Sequence, residues 1–383
     1  MLGKNKTLGI LGGGQLGKMV LDVSNRWGLK VYVLDSNIEC PSSKLCSKFF
    51  VGDLMDYDTV VQFGQNVDLI TIEIENVNVE ALKFLESKGK KVFPQPRVIE
   101  IIQDKSKQKE FYIDNEIPTS SFRSCNGIEE LKSLISKGEI SYPFIWKASK
   151  MGYDGYGVNK ISDNKSLEKL SDCHCIVEEL ISIKKELSVM VGLRESGEIL
   201  NYPVVEMEFN KDSNQVEYIL SPAQISQELK IKAEKIACNI AEKFKICGII
   251  AVEMFLTNQD EILVNEVAPR PHNSYHFSIE GSYTSQFEQF LRAILDLPLG
   301  STKILQNSVM VNLVGEKNSK GIVEYKNFDQ IIGIEGVNPH IYGKLETKPN
   351  RKMGHITIIN EDIEIAKSIA KEIKETIIIT TRK

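Results

Sequence analysis

Short apolar runs alternate with amphipathic stretches over the first hundred residues of the chain. The apolar runs predict strands at residues 8–11, 30–34, 49–51, 68–74 and 91–93. Between them, apolar residues recur at helical spacing and predict helices at residues 15–27, 56–66 and 79–88. Alternating strands and helices are typical of a doubly wound parallel sheet, so we predict an α/β domain over residues 1–96.

The pattern becomes mixed after the prolines at positions 94 and 96. A polar helix is predicted at residues 97–115 and an amphipathic helix at 221–246, with strands at 144–147, 175–179, 186–192 and 199–208. Two apolar strands, 249–256 and 261–267, flank a polar turn and predict a β-hairpin. We predict a second domain over residues 97–300, followed by short strands and a terminal helix, 361–375, within 301–383.

A glycine-rich loop follows the first predicted strand. Gly12, Gly14 and Gly17 form the pattern G-x-G-x-x-G, and Asp35 ends the next predicted strand. Loop amides at a helix N-terminus favour an anion, and an acidic residue about 20 positions later binds the ribose in dinucleotide-binding domains. This pattern alone leaves open an NAD-dependent oxidoreductase.

The predicted hairpin brings two carboxylates together. If residues 259–260 form its turn, Glu253 lies directly across from Glu266 on the same face of the hairpin. Two carboxylates among apolar neighbours repel each other and lose hydration, and a divalent cation between them removes both costs. Oxygen ligands from Glu253, Glu266 and Asn265 suit Mg2+, with Mn2+ as an alternative. The competing interpretation is that one glutamate faces solvent.

Three further segments carry groups suited to binding anions. The stretch "SKMGYDGYGV" frees backbone amides for phosphate oxygens just after a lysine that ends a predicted strand. The segment "NEVAPRPHNS" fixes polar side chains between prolines, and "GKLETKPNRKMGHI" gathers cations near turns. Each is also compatible with an ordinary polar loop. The candidate side chains are Lys147, Arg270, His272, Asn273, Lys344, Arg351, Lys352 and His355.

Composition narrows the class of protein. The 383 residues are 42% hydrophobic and carry a net charge of −5 without a basic block, so nucleic acid is not the expected partner. No apolar stretch reaches the ~20 residues that a membrane-spanning helix needs, and no signal peptide is expected. The seven cysteines are scattered, which favours reduced thiols and a cytoplasmic protein.

Taken together, the motifs resemble those of a known family. The segments "GGGQLG", "GYDGYG", "VEEL", "NEVAPRPHNS", "SQFEQFLRAILDLPLG" and "RKMGHI" stand in the same order as in 5-(carboxyamino)imidazole ribonucleotide synthases. This resemblance spans nearly the whole chain. It implies an ATP-grasp fold: a Rossmann-like pre-ATP-grasp domain (1–96), an ATP-grasp domain (97–300) with a lid at about 118–180, and a small β-rich C-terminal subdomain (301–383).

The resemblance also implies a reaction in purine biosynthesis. ATP, bicarbonate and aminoimidazole ribonucleotide would give the carboxyamino product, ADP and phosphate, with carboxyphosphate as the activated intermediate. The enzyme would be a magnesium-dependent ligase and a cytoplasmic homodimer, and its product would pass to a separate mutase.

Site residues follow from the same resemblance, position by position. The residues that would bind ATP are Lys105, Lys147, Gly152, Tyr153, Asp154, Gly155, Tyr156, Gly157, Val158, Glu178, Glu179, Leu180, Ile181, Glu186, Asn265 and Glu266. The metal ligands would be Glu253, Glu266 and Asn265. Bicarbonate and the reacting amine would meet Tyr153, Asp154, Arg270, His272 and Asn273. The ribonucleotide would contact Gln15, Leu16, Glu73, Lys344, Arg351 and Lys352.

Some positions depart from the family pattern, and two alternatives remain. Lys105, Met151, Phe209 and Tyr275 stand where an arginine, a glycine, a histidine and a small glycine are usual. The nearer alternative is formate-dependent glycinamide ribonucleotide transformylase, a sister enzyme that usually has glutamate at the position of Gln15. The remote alternative is the oxidoreductase. Under the leading interpretation the first loop serves the ribonucleotide, and Asp35 is only a strand-end residue.

Overall fold

The computed structural model describes residues 6–150, 157–210, 213 and 215–382. Its first domain contains β1 (Thr7–Leu11), α1 (Gln15–Arg26), β2 (Lys30–Asp35), β3 (Lys48–Val51), α2 (Tyr57–Gln65), β4 (Leu69–Ile72), α3 (Val79–Ser87) and β5 (Lys91–Val92). The strands form a five-stranded sheet in the order β3-β2-β1-β4-β5, and every pairing is parallel. The predicted doubly wound parallel domain is confirmed.

Two short helices follow, where the sequence analysis predicts one. They are α4 (Pro96–Ile102) and α5 (Lys105–Asp114). Asp104 interrupts the helix with an extended backbone, and its side chain accepts a hydrogen bond from the Ser106 N–H at 3.0 Å. The prediction of a continuous helix is therefore wrong, because an aspartate in a polar stretch serves as an N-cap.

A small four-stranded sheet lies within the stretch expected to form the lid. It contains β6 (Phe122–Cys125), α6 (Ile128–Ser136), β7 (Phe144–Ala148), β8 (Val158–Ile161), α7 (Asn164–Leu167) and β9 (Cys175–Glu179). The strand order is β6-β9-β7-β8, and all pairings are antiparallel. The apolar face of this sheet packs on α6. Together they form a hydrophobic core that is separate from the core of the large sheet.

The next elements begin the largest sheet. They are β10 (Ile183–Leu193), β11 (Ile199–Asn201), β12 (Val205–Phe209), β13 (Val216–Ser221), α8 (Gln227–Phe244), β14 (Gly248–Thr257), β15 (Ile262–Ala268), α9 (Ser278–Gly281) and α10 (Gln286–Ile294). Two predictions fail here. The strand predicted at 199–208 is interrupted before Val205, and the helix predicted from residue 221 starts later, because Ser221 is the last residue of β13. Helix α8 begins only after Ser226, whose hydroxyl caps it.

Three of the C-terminal strands extend the same sheet, and three others form a small sheet of their own. The C-terminal elements are β16 (Asn307–Val314), β17 (Gly321–Lys326), β18 (Val337–Ile341), β19 (Glu346–Thr347), β20 (Lys352–Asn360), α11 (Ile363–Thr376) and β21 (Ile378–Thr381). The main path of the nine-stranded sheet runs β15-β14-β10-β12-β13-β16-β20-β18, so pairing of β13 with β16 carries it across residue 300. Helix α11 confirms the predicted terminal helix. Among the described residues, no helix is both long and apolar enough to cross a membrane.

Candidate active site

The hairpin of β14 and β15 carries the predicted pair of carboxylates. Glu253 pairs directly with Glu266, so the predicted register at this position is confirmed. The turn differs from the prediction because it contains three residues, 258–260. A hydrogen bond of 2.9 Å from the Thr257 N–H to the Glu261 carbonyl closes it, and the last turn residue has a φ of 58°, typical of such loops.

A β-bulge at Asn265 compensates for the longer turn. The register shifts by one residue next to Glu253, which leaves Asn265 as the extra residue of β15. Neighbours in a regular strand point to opposite faces, but a bulge re-aims one side chain. Here Asn265 Oδ1 accepts a hydrogen bond from Lys147 Nζ at 3.0 Å, and Glu266 Oε2 lies 2.6 Å from Lys105 Nζ. Both side chains therefore face one lysine cluster.

Three lysines converge on these carboxylates from two elements. Lys105 and Lys109 are four residues apart on α5, and Lys147 lies on β7. Glu178 on β9 joins two of them, because its carboxylate lies 2.8 Å from Lys109 Nζ and 2.7 Å from Lys147 Nζ. The Lys109 ammonium also donates to two side-chain hydroxyls, at 2.5 and 2.9 Å. The sequence analysis missed Lys109, although its spacing from Lys105 places both on one helix face.

We expect Lys109→Met to destabilise the protein by about 3 kcal/mol. Lys109 is only 2% exposed, and removing one partner of a buried ion pair leaves the other charge poorly compensated. Lys147 would still pair with Glu178, which keeps the loss at the lower end of the usual range. Urea unfolding of the purified variant measures the change.

The matched variants are Lys107→Met and Lys109→Met/Glu178→Gln. Lys107 lies on the same helix, but its side chain is 50% exposed and pairs with a surface glutamate, so its loss should cost less than about 1 kcal/mol. The double variant removes both buried charges and should recover most of the lost stability. A Lys109→Met protein as stable as the wild type would show that the pair contributes nothing.

The electrostatics of the two hairpin carboxylates are opposite. The Lys105 ammonium lowers the pKa of Glu266 to about 2, against the effect of burial. Burial raises the pKa of Glu253 to about 8, and the charges of Glu266 and Glu186 act in the same direction. Glu186 itself has a pKa raised to about 7 by burial. The pair therefore favours one negative charge over two, and a cation would restore the second.

The lid carries most of the other positions implied for ATP. Gly157 has a φ of 76° and its carbonyl accepts from the Ala148 N–H at 2.9 Å, and Val158 begins β8. Gly152, Tyr153, Asp154, Gly155 and Tyr156 lie outside the described residues, so their roles stay predictions. Glu178 is buried, whereas Glu179, Leu180 and Ile181 run from the end of β9 into the connection to β10. This connection joins the lid sheet to the large sheet, where a hinge would lie.

The loop after β15 reaches two parts of the molecule. Arg270 Nε lies 2.8 Å from Glu75 Oε2 of the first domain. His272 Nε2 lies 3.2 Å from Glu253 Oε1 of the hairpin. The Nδ1 atom of His272 lies 2.8 Å from Ser274 Oγ and 3.4 Å from the Ser274 nitrogen, so Ser274 orients the ring with Nε2 facing Glu253. The loop thus connects the carboxylate pair to the first domain.

Asn273, implied as a substrate contact, is engaged within the protein. Its Nδ2 donates to Asn312 Oδ1 at 2.9 Å, and its Oδ1 accepts from Asn312 Nδ2 at 2.8 Å. Asn312 lies on β16 and was not singled out from the sequence. The side chain of Asn273 is therefore held by the buried side-chain amide of Asn312, which lies in the C-terminal part of the large sheet.

The backbone amides of the first glycine loop are hydrogen-bonded to carboxylates of the protein itself. The Gly13 N–H donates to Asp35 Oδ2 at 2.7 Å, and the Gly14 N–H donates to Glu73 Oε2 at 2.7 Å. A Cβ atom at Gly14 would clash with the Glu73 carboxylate, so the glycine permits this close approach. These two amides are not available to a dinucleotide phosphate. Asp35 is therefore a hydrogen-bond partner of the loop, whereas the sequence analysis treats it only as a residue at the end of a strand.

The remaining first-domain positions differ in what they can offer. Gln15 is the first residue of α1 and is half-buried. The Leu16 side chain is buried in the core, so only its backbone could reach a ligand. Burial raises the pKa of Glu73, against the hydrogen bond from Gly14 and the charge of Arg270.

The predicted cation cluster forms at the connection between β18 and β20. Lys344 Nζ donates to the Lys352 carbonyl at 2.8 Å and lies 5.6 Å from the centre of the Tyr342 ring. Arg351 Nη1 donates to the Glu346 carbonyl at 2.9 Å. The structure therefore joins Lys344 to the backbone of Lys352, and the charge of Lys352 lowers the pKa of Glu253 against the effect of burial. Arg351 precedes Lys352 in the chain, and its side chain contacts a different segment.

Three histidines stack behind this cluster. The His355 ring lies 4.5 Å from that of His340 and 4.8 Å from that of His276, centre to centre. His340 Nε2 lies 2.7 Å from Glu280 Oε1, and His355 Nδ1 lies 3.1 Å from the Tyr342 hydroxyl. Burial holds the pKa values of His276 and His355 well below their usual range. Both rings are therefore neutral near pH 7.

Comparison with known proteins gives the same domain order. Residues 5–103 match a ribonucleotide synthetase preATP-grasp domain, residues 110–287 an ATP-grasp domain, and residues 308–369 a phosphoribosylaminoimidazole carboxylase C-terminal domain. An N5-carboxyaminoimidazole ribonucleotide synthase from Bacillus subtilis is 34% identical, over 92% of this chain and 91% of its own. The chain belongs to this synthase family. The fold class and the ATP-grasp assignment are confirmed.

Solved structures of the synthase family superpose closely on this chain. The Thermotoga maritima enzyme is 40% identical with a TM-score of 0.91, over 98% of this chain and 100% of its own. An Aspergillus clavatus enzyme solved with ADP and 5-aminoimidazole ribonucleotide is 31% identical with a TM-score of 0.88, over 97% and 98%. A yeast phosphoribosylaminoimidazole carboxylase is 37% identical over 93% of this chain, which spans 64% of that protein's length.

Three departures from the synthase pattern can be located. Lys105 keeps a positive charge against Glu266. Tyr275 does not shape the pocket, because it is fully buried and its hydroxyl donates to the backbone carbonyls of Ser188 and Pro203, at 2.8 and 2.9 Å. Phe209 ends β12 and packs against the apolar core. Met151 lies outside the described residues.

Proposed function

We propose that this protein catalyses the ATP-dependent carboxylation of aminoimidazole ribonucleotide by bicarbonate, giving the N5-carboxy product, ADP and phosphate. The observation that carries the proposal is the loop after β15. Its His272 contacts Glu253 of the carboxylate pair, while its Arg270 contacts Glu75 of the first domain. The loop therefore lies between a phosphate-binding cluster and the domain expected to hold the ribonucleotide. The Aspergillus clavatus complex with ADP and this ribonucleotide supports the assignment.

Magnesium fits the donor set of the hairpin. Glu253 and Glu266 are directly opposed, Asn265 faces the same cluster, and burial favours only one negative charge on the pair. Among the described residues, no group of three histidine, cysteine, aspartate or glutamate side chains could form a metal site alone. This arrangement is typical of Mg2+, or Mn2+, held by few carboxylates together with substrate phosphates. When bound, the metal would offset negative charge on the phosphates.

The chain's own groups supply the remaining chemistry. Lys105 and Lys147 would contact the ATP phosphates and stabilise charge during phosphoryl transfer to bicarbonate, since both lie in the cluster of charges around the hairpin. Arg270 would hold bicarbonate oxygens, and His272 would present Nε2 beside Glu253. Closure of the lid would keep water from carboxyphosphate until the ribonucleotide amine attacks its carboxyl carbon.

The ribonucleotide is proposed to bind between the first domain and the C-terminal cations. Glu73 lies close enough to Arg270 and Lys344 for their charges to affect its pKa. Lys344, Arg351 and Lys352 would hold the phosphate, and Gln15 with the backbone of Leu16 would contact the rest of the ligand. A cytoplasmic homodimer and transfer of the product to a separate mutase are further proposals from the family resemblance. The seven free cysteines support a reducing compartment.

The decisive experiment measures ADP release with ATP, Mg2+ and different acceptors. ADP release that requires both aminoimidazole ribonucleotide and bicarbonate is the expected result. Release that requires glycinamide ribonucleotide and formate would instead support the sister transformylase. Turnover of NAD with a hydroxy acid, without ADP release, would overturn the proposal and restore a dinucleotide role for the first loop.

A further inference from the structure

Two buried carboxamides hold the loop that carries Arg270 and His272. Gln286, the first residue of α10, is fully buried. Its Oε1 accepts from the His272 N–H at 2.7 Å, and its Nε2 donates to the His272 carbonyl at 2.9 Å. Both backbone polar groups of His272 are therefore satisfied by one side chain, which fixes the position of this residue along the loop.

Asn312 holds the next residue of the loop in the same manner. It is 1% exposed and forms the reciprocal pair of hydrogen bonds with the side chain of Asn273. Its Nδ2 also donates to the Val216 carbonyl at 2.9 Å. A carbonyl can only accept, so this bond fixes which side-chain atom of Asn312 is the nitrogen and, through the pair, the orientation of Asn273.

The position of Asn312 in the sheet connects this loop to the cation cluster. Asn312 on β16 pairs directly with His355 on β20. Strand β20 begins at Lys352, directly after Arg351. The residue that fixes the loop at Asn273 therefore belongs to the same pair of strands as the cations expected to hold the ribonucleotide phosphate.

We propose that Asn312 is a positioning residue that sets the geometry of Arg270 and His272 relative to the ribonucleotide phosphate cluster, acting through Asn273. This inference rests on the proposed function. It gives Asn273 a supporting role in place of the direct substrate contact implied by the resemblance. Small displacements of reacting groups reduce rates strongly, so loosening this pair should lower kcat more than it changes ATP binding.

The test is a double-mutant cycle of Asn273→Ala and Asn312→Ala, assayed by ribonucleotide-dependent ADP release. Each single variant should lose about 10- to 100-fold in kcat, with the KM for ATP within about twofold of wild type. The double variant should be no slower than the slower single variant, because both changes break one interaction. Asn312→Asp should lose at least as much as Asn312→Ala, because a carboxylate cannot donate to Asn273 or Val216.

Asn338→Ala is the matched control. Asn338 lies on β18 of the same sheet, and its side chain donates to the nearby Gly336 carbonyl at 2.9 Å, so kcat should not change. If wild type is active and Asn312→Ala keeps kcat within twofold, the inference is overturned. It is equally overturned if Asn273→Ala costs far more than Asn312→Ala, which would indicate direct substrate contact. A wild-type protein without ribonucleotide-dependent ADP release would refute the proposed function instead, and urea unfolding of the same cycle still measures the coupling.

Discussion

Glu253→Gln is expected to lower magnesium-dependent ADP release at least about 100-fold while leaving the folded protein as stable as the wild type. Under the proposed function the activity falls because the metal, which contributes several kcal/mol to catalysis, would lose an anionic ligand. Stability is kept because burial and the facing charge of Glu266 already favour a neutral Glu253 when no metal is bound, and glutamine is neutral too. Glutamine also retains an acceptor for His272. Steady-state assays and urea unfolding measure the two effects.

Glu266→Gln should lose the same activity but should also destabilise the protein. Lys105 is 16% exposed and would lose the carboxylate that now lies 2.6 Å away. We expect a loss of about 1–2 kcal/mol, less than for a fully buried pair because the Glu266 side chain is 43% exposed. Glu261→Gln is the control and should change neither quantity, because Glu261 is an exposed residue that follows the turn of the same hairpin. Equal stability of the two active-site variants would contradict this account of the cluster.

Below pH 6.5 the histidine stack should lower the stability of the folded protein, in opposition to Glu253 and Glu186, whose raised pKa values of about 8 and about 7 favour the folded state as the pH falls. His276 and His355 are 1% and 0% exposed, and burial lowers the pKa of each well below the ordinary 6.5. As the pH falls below 6.5, these two histidines bind protons in the unfolded chain but stay neutral in the folded protein. Each histidine therefore lowers the unfolding free energy by up to about 1.4 kcal/mol per pH unit, and the two together by about 2.7. Urea unfolding between pH 7.5 and 5.5 measures this slope.

His355→Gln should reduce the slope by about one proton, or 1.4 kcal/mol per pH unit. His355 is the informative position because its Nε2 is buried without a hydrogen-bond partner among the described residues, so a proton there would be poorly solvated. His174→Gln is the control, since His174 is exposed and its removal should leave the slope unchanged. Equal slopes for the wild type and His355→Gln between pH 7.5 and 5.5 would show that the stack accepts protons without strain.

The sequence predicts the elements with strong periodicity and misses those set by a single polar side chain. The parallel domain and the terminal helix follow from apolar spacing alone. Asp104 and Ser226, by contrast, decide where helices begin, and in a polar stretch nothing in the spacing of apolar residues marks a cap. The predicted helix therefore begins at residue 221, six residues before α8 starts at Gln227.

The candidate site shows the same division. Glu253 and Glu266 could be paired by counting residues outward from the predicted turn, because cross-strand neighbours depend only on the local register. The partners of Lys109 and Asn312 could not be predicted, since Glu178 and Asn273 approach them from other elements of the fold. The first glycine loop is a third case. Its spacing matches a nucleotide fingerprint, but its amides bind Asp35 and Glu73, which only the folded chain reveals.

The three-residue turn and the bulge of the hairpin each shift the strand register by one residue, in opposite directions, so the register at Glu253 is that of a regular two-residue hairpin. With the chain length unchanged, a two-residue turn would pair Asn258 with Glu261 and shift the whole of β15 by one position, and only removal of the bulge at Asn265 could restore the opposition of Glu253 and Glu266. That regularised hairpin would keep both carboxylates and send Asn265 to the other face, toward the packed side of the sheet. A redesign that made the hairpin regular in this way would thus remove the proposed ligand Asn265 from the site without mutating it, so the register of this hairpin is part of the proposed chemistry.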